Sequence, residues 1–260
     1  MTQNDLTEMV HQHYATDSPH NPLTGERGEM TIDLNNPGSE ERVSIIVVHK
    51  DRPEYLNITL QTIAVCSLNN NFEIVVVDNG SGARTQTFLD QLEEDGINVV
   101  RNNENVWWTK AANQGVKAAS KDSKYLVFMH HDINVLNPAW LDLMINVSES
   151  NKSGLVGLTM RHYEINQQRY PFIDESCMLV SRECWEDSGP FSEELPQEGA
   201  PFIFTYTANR NGHAPQCIDQ KATPCVYHYR IFAMDFNEHE RFAEKAQMTL
   251  PKLIGEIQGD

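Results

Sequence analysis

Residues 43–66 read VSIIVVHKDRPEYLNITLQTIAVC, and this stretch decides the fold. Val43, Ile45, Ile46, Val47 and Val48 form a nearly continuous β-branched run, the pattern of a strand buried on both faces. Asp51-Arg52-Pro53 breaks the run. Proline is suited to a first helical turn, so Pro53 opens a helix predicted over about residues 53–66. Strand, turn and helix in that order form the opening unit of a parallel sheet.

The same alternation continues. A second apolar strand, Phe72 to Val77, ends in Asp78-Asn79-Gly80-Ser81-Gly82, and a helical stretch follows from about Thr85 to Glu94. Asn98-Val99-Val100 reads as a short third strand and Thr109 to Ser120 as an alanine-rich helix, with Trp107-Trp108 in the loop before it. Tyr125 to Met129 is a fourth strand, closed by His130-His131-Asp132. The expected fold is α/β: one doubly wound, mostly parallel sheet with ligand groups at the carboxyl ends of its strands. Beyond residue 150 the pattern loosens. Strands are expected near Leu155 to Met160, at Cys177 to Ser181 and at Val226 to Tyr229, with a loop-rich stretch through Gly212 and a polar helix from about Asp235 to Met248.

The chain has 260 residues, enough for one large domain with a substantial core. Residues 1–40 carry seven acids against Arg27 and three prolines, so they read as an acidic extension without a core; 41–232 form the domain and 233–260 a helical C-terminal segment. No apolar run reaches the length of a membrane span, and the N-terminus has neither a basic leader nor an apolar segment, so a cytoplasmic protein is expected. Cys66, Cys177, Cys184, Cys217 and Cys225 show no paired spacing and read as reduced thiols. The formal charge of -17 argues against broad binding to nucleic acid or anionic lipid, and it means that a diphosphate ligand would need a cation at its site.

Several residues have a chemical and a plain reading side by side. Asp78, at a strand end before Asn-Gly-Ser-Gly, is either a turn cap or a carboxylate that accepts hydrogen bonds from a base or ribose. Asp132 at its strand end is a suitable hard ligand for Mg²⁺ or Mn²⁺, or simply a polar terminus. Adjacent histidines on an extended segment point to opposite faces, which argues against His130 and His131 sharing one zinc. Asn113 and Gly115 lie in a helix whose small residues allow close packing on the sheet. His228, between aromatics, is either a core histidine or a ligand. Glu193, Glu194 and Glu198 are surface acids, or one of them is a general base.

The order and spacing of these segments resemble the family 2 glycosyltransferases and the GT-A fold over about residues 43–230. The carrying residues are SIIVVHKDRPEYL (44–56), EIVVVDNGSG (73–82), NENVWWTKAANQGV (103–116), YLVFMHHD (125–132), CMLVSRECWEDSGPFSEEL (177–195) and VYHYR (226–230). The WW-x₄-N-x-G segment is most similar to the rhamnosyltransferase-like branch. The resemblance implies a nucleoside-diphosphate sugar as donor, Mn²⁺ or Mg²⁺ on Asp132, and His228 as a further metal ligand. It also implies a base pocket formed by Val48, His49 and Asp78 beside Asn79, with Asn113 on the donor-side helix and His130 facing the ribose. The acid pair that supplies the base in inverting members is replaced by Ala200-Pro201; Glu198 is the nearest acid, with Glu194 behind it. The acceptor is left open among a glycan, a lipid-linked carrier, a protein and a modified nucleic acid. Two rivals stand: an S-adenosylmethionine-dependent methyltransferase, from Asp78-x-Gly80-x-Gly82, and a nucleotide- or glycan-binding domain without turnover.

Overall fold

The computed structural model describes residues 40–165, 167–197, 199–230 and 236–258. The 1–40 extension, apart from Glu40, and the placement of Glu198 therefore lie outside the described residues.

At the centre stands β1 (Val43–His49), all seven residues buried. It pairs in parallel with β2 (Phe72–Asp78) on one side and with β4 (Tyr125–His130) on the other, and β2 pairs in parallel with β3 (Asn98–Arg101). Beyond β4 the sheet turns mixed. β9 (Cys177–Ser181) runs antiparallel to both β4 and β6 (Leu155–Gly157), and β10 (Gln216–Cys217) closes that edge. The order β10-β6-β9-β4-β1-β2-β3 is the expected mostly parallel sheet.

Both faces are covered, which is why the central strands are nearly continuously apolar. Against one face pack α1 (Pro53–Cys66), α2 (Ala83–Glu94) and α4 (Trp140–Asn151), with Leu56, Ile63, Leu89, Trp140 and Met144 in one core. Against the other pack α3 (Trp107–Ala118), α5 (Arg182–Ser188), α6 (Ala200–Arg210) and α7 (Phe236–Gln258). Helix α3 lies unusually close to the sheet: a Cβ on Gly115 would stand 2.3 Å from Ile46 Cγ2. All five cysteines are free, and only Cys217 is exposed.

Four expectations need correction. Trp107 and Trp108 are the first residues of α3 and not part of a loop. The stretch read as loop-rich contains α5 and α6; α6, APFIFTYTANR, is buried along most of its length and so lacks the polar stripe that marks a surface helix. The strand expected up to Met160 stops at Gly157, and Met160 instead begins an antiparallel hairpin of β7 (Met160–Ile165) and β8 (Gln168–Ile173). The C-terminal helix runs on through Pro251 to Gln258, well past Met248.

A second two-stranded ribbon sets up the site. The short β5 (Ile133–Val135) pairs antiparallel with β11 (Val226–His228), placing His228 opposite Ile133. The Tyr229 amide donates to the Asp132 carbonyl at 3.0 Å, which holds the end of the ribbon against the end of β4.

Candidate active site

The carboxyl ends of β1, β2 and β4 lie side by side, His49 in register with Asp78 and Val48 with His130. Their side chains divide between the two faces as strand alternation requires. His131 points to the α1 side and meets His49 edge to face at 5.0 Å; His130 points to the α3 side and meets His228 at 5.5 Å and Trp108 at 6.5 Å.

On the α3 side His130, Asp132 and His228 converge, one ligand atom from each lying within 4.8 Å of the others. Asp132 is 3% exposed, and its Oδ1 is 3.2 Å from His228 Nε2. Burial pushes the His130 imidazole down to about 4 against the pull of Asp132, so at neutral pH the ring is uncharged and offers a lone pair. Its Nε2 is buried and without a hydrogen-bond partner among the described residues. Buried polar atoms are nearly always satisfied, and this nitrogen is one that no described residue satisfies. A carboxylate and two imidazoles form a donor set fit for a divalent transition ion. The ribbon explains the convergence: it brings His228, distant in sequence, beside Asp132.

On the α1 side the base-pocket expectation meets a more structural arrangement. Asp78 is fully buried; its Oδ1 accepts a short hydrogen bond from Ser81 Oγ, and its Oδ2 accepts from Gln86 Nε2 at 2.9 Å. Arg101 donates in turn to Gln86 Oε1 at 2.8 Å. The turn-capping reading of Asp78 is therefore realised. Asn79 fixes the next loop, its Oδ1 accepting from the Val106 amide at 2.8 Å just before α3. The β1–α1 turn, left-handed at Asp51 and Arg52, is tied to the same loop: the Asp51 amide donates to Ser81 Oγ at 2.7 Å, and the Gly82 amide to Asp51 Oδ1 at 2.9 Å. Two connections thus form one floor beside the cluster.

His49 is fully buried, and neither ring nitrogen meets a partner among the described residues. Burial, aided by the neighbouring His131, pushes it down to about 3. A histidine whose folded-state pKa lies below its unfolded value takes up its proton on unfolding. Its contribution to stability is thus complete above about pH 6.5 and lost as pH falls from there toward 3. One such group costs about 2 kcal/mol of stability by pH 5, and His131, also lowered by burial, acts in the same direction. Urea unfolding at pH 7.5 and pH 5 is expected to show this fall, with a shallower pH slope in His49→Gln; equal slopes would contradict it.

The remaining expected residues are placed elsewhere. Asn113 clamps the segment after α5, its Nδ2 donating to the Phe191 carbonyl at 3.0 Å and its Oδ1 accepting from the Phe191 amide at 3.1 Å. Glu194 is exposed on that segment. Where the acid pair of inverting members would stand, α6 begins with a left-handed Gly199 followed by Ala200 and Pro201. Sequence reasoning missed Asp174, a carboxylate 3% exposed in the β8–β9 turn. Burial pushes its pKa up, but the Arg161 guanidinium and Ser176 outweigh this and hold it below the ordinary range.

With this geometry in view, the sequence matches the family described as glycosyl transferase family 2 over residues 44–232, a span that includes every residue of the cluster. The chain belongs to that family. The O-antigen biosynthesis protein RfbC of Myxococcus xanthus is 24% identical over 224 residues, which is 72% of this chain and 17% of that protein. The chain spans 13–17% of the length of the curated relatives it matches. Among solved structures, a mannosyltransferase from Pyrobaculum calidifontis, PcManGT, in complex with GDP-Man and Mn²⁺, superposes with a TM-score of 0.59 at 16% identity, covering 84% of this chain and 66% of that one. GalNAc-T7 with UDP, GalNAc and Mn²⁺ gives 0.59 at 12% identity, covering 80% of this chain and 48% of that one. The fold of this family 2 domain is GT-A. Its membership overturns the methyltransferase alternative. Among the described residues no helix is long and apolar enough to cross a membrane.

Proposed function

We propose that this family 2 domain transfers a sugar from a nucleoside-diphosphate sugar to an acceptor hydroxyl, with a divalent cation held by Asp132, His228 and His130. The observation that carries the reading is the convergence of a buried carboxylate and two imidazoles, one with an orphaned nitrogen, at the carboxyl edge of β4. Two imidazoles beside one carboxylate suit Mn²⁺ better than Mg²⁺, which prefers an all-oxygen shell. When bound, such an ion stabilises the negative charge that develops on the departing diphosphate. That the solved neighbours hold Mn²⁺ with GDP-Man, or with UDP and GalNAc, supports this reading.

The chain's own residues would do the rest. The joined loops at Asp51 and Asp78–Gly82 hold the nucleoside over β1 and β2, with Val48 and His49 beneath it. Asp78 contributes chiefly by fixing that floor, since Ser81 and Gln86 already engage both its oxygens. Asn113 holds the Phe191 segment that leads toward α6. Glu198, directly before the Gly199 that starts α6, is the proposed base for the acceptor's proton, with Glu194 second.

Thermal unfolding with a panel of nucleoside diphosphates and nucleotide sugars, each with Mn²⁺, Mg²⁺ or chelator, tests the proposal. One nucleotide is expected to raise Tm only when metal is present, because a ligand that binds the native state stabilises it by mass action. A shift that ignores the chelator, or no shift with any member of the panel, would sink it. Turnover of the donor to free sugar or product separates an enzyme from a domain that only binds.

A further inference from the structure

The β7–β8 hairpin is a separate ribbon that contacts β6, a strand of the mixed half of the sheet, on the opposite side of β4 from β1 and β2. Cross-strand partners share a face, so Arg161 lies with Phe172, and Tyr163 with Tyr170, on one side of the hairpin. That side packs inward: Tyr163, Tyr170 and Phe172 all meet the Phe202 ring of α6, at 5.2, 6.1 and 5.9 Å. A guanidinium at the end of an aromatic layer needs a reason, and Asp174 supplies half of it. Arg161 Nε is 2.5 Å from Asp174 Oδ2, while Asp174 Oδ1 accepts from the Ser176 amide at 3.0 Å. The Ser176 carbonyl accepts from the His130 amide at 3.1 Å, so the turn that holds the arginine is hydrogen-bonded directly to the end of β4.

The other half is still open. Among the described residues no other hydrogen bond or ion pair engages the Arg161 guanidinium, and the side chain is 57% exposed. The ion pair with a buried carboxylate anchors the guanidinium on its Nε side and leaves its two terminal nitrogens free among the described residues, a fork that can grip a phosphate or carboxylate. In a chain of net charge -17, a fixed cation beside the cluster is a specific feature and not part of a general basic surface. The hairpin that carries Arg161 lies beside β6, and β6 stands on the other side of β4 from β1 and β2, so a ligand at Arg161 is across β4 from a nucleoside over β1 and β2.

We propose that Arg161, held by Asp174, binds an anionic group, phosphate or carboxylate, carried by the acceptor. The proposal rests on the donor reading above, since it takes the nucleotide to occupy the β1–β2 side. Asp174 is a positioning residue here, and Arg161 determines acceptor specificity.

The test uses the full chain saturated with Mn²⁺ and the nucleoside diphosphate that stabilises it most, so that the donor diphosphate position is filled. Isothermal titration then follows inorganic phosphate in one arm and glucuronate in the other, with glucose as the neutral control. The expected result is that at least one anion binds, that glucose binds no better to wild type than to variants, and that Arg161→Gln weakens the anion by about tenfold or more, as loss of charge-assisted hydrogen bonds implies. Arg161→Lys keeps a charge toward Asp174 and loses the fork; it is expected to keep the unfolding midpoint and lose most of the anion affinity. Whichever arm binds names the acceptor group as phosphate or carboxylate. Three results would overturn the proposal: neither anion binds, anions bind only when the nucleotide is absent, or the variants change stability and bind anions as wild type does. In each, nucleotide and Mn²⁺ binding measured beforehand stays intact; its absence would count against the donor reading instead.

Discussion

Asp132→Ala is expected to lower donor turnover by about a thousandfold or more, which is about 4 kcal/mol of transition-state stabilisation. The carboxylate is the only anionic member of the cluster, and removing it leaves only the two imidazoles to face a cation. The loss should fall on chemistry and on metal-dependent nucleotide binding, not on folding. The substitution removes the contact between Asp132 Oδ1 and His228 Nε2 but keeps the hydrogen bond from the Tyr229 amide to the Asp132 backbone carbonyl, which still ties this segment to the ribbon. Steady-state turnover at saturating Mn²⁺, read beside the unfolding midpoint, checks both halves. Turnover within tenfold of wild type would contradict the assignment, and so would a loss fully explained by unfolding.

Gly80→Ala should have the largest effect on stability. Gly80 has φ +76°, which L residues rarely adopt, and an added Cβ would stand 2.5 Å from the Glu104 carbonyl carbon and 2.8 Å from its Cα. Those atoms are backbone, so no side chain can swing aside. Strain and clash together are expected to cost about 2–4 kcal/mol, a fall in Tm of roughly 5–15 °C for a domain of this size. The turn cannot simply move, because Asp78, Ser81, Gln86 and the Asp51 loop are bonded to one another across it. Weaker nucleotide binding should therefore accompany the lower midpoint. A variant as stable as wild type would show that the floor is looser than this network implies.

The parallel half of the molecule was legible because its physics is local. A strand buried on both faces reads as a nearly continuous apolar run, as the middles of β1, β2 and β4 do, and Pro53 fits only the first turn of α1. The mixed half was harder for the same reason. Helix α6 combines β-branched and aromatic residues because it is buried, and burial erases the polar face that identifies a helix. The hairpin was hidden because most of its residues are exposed or half-buried and only Phe172 and Ile173 are buried, so MRHYEI and QRYPFI resemble solvated loop.

The site divides along the same line. Asp78 and Asp132 stood out as acids at the ends of legible strands. That His228 approaches Asp132 follows from the pairing of β5 with β11, two three-residue strands far apart in the chain, and no spacing rule encodes such a contact. Asp174 gave no signal, since Asp-Glu-Ser after a strand reads as an ordinary turn. Its importance comes from Arg161 across the base of the hairpin, a partner that only the folded chain reveals.

The measurement that tests the central claim most directly is anomalous X-ray diffraction from crystals of the full chain grown with Mn²⁺ and the stabilising nucleoside diphosphate. The expected result is a single strong peak bonded to an Asp132 carboxylate oxygen and His228 Nε2, with His130 Nε2 turned toward it and the diphosphate completing its shell. A well-ordered nucleotide with no peak among these three side chains, or a peak held by other residues, would contradict the assignment of the cluster as the cation site.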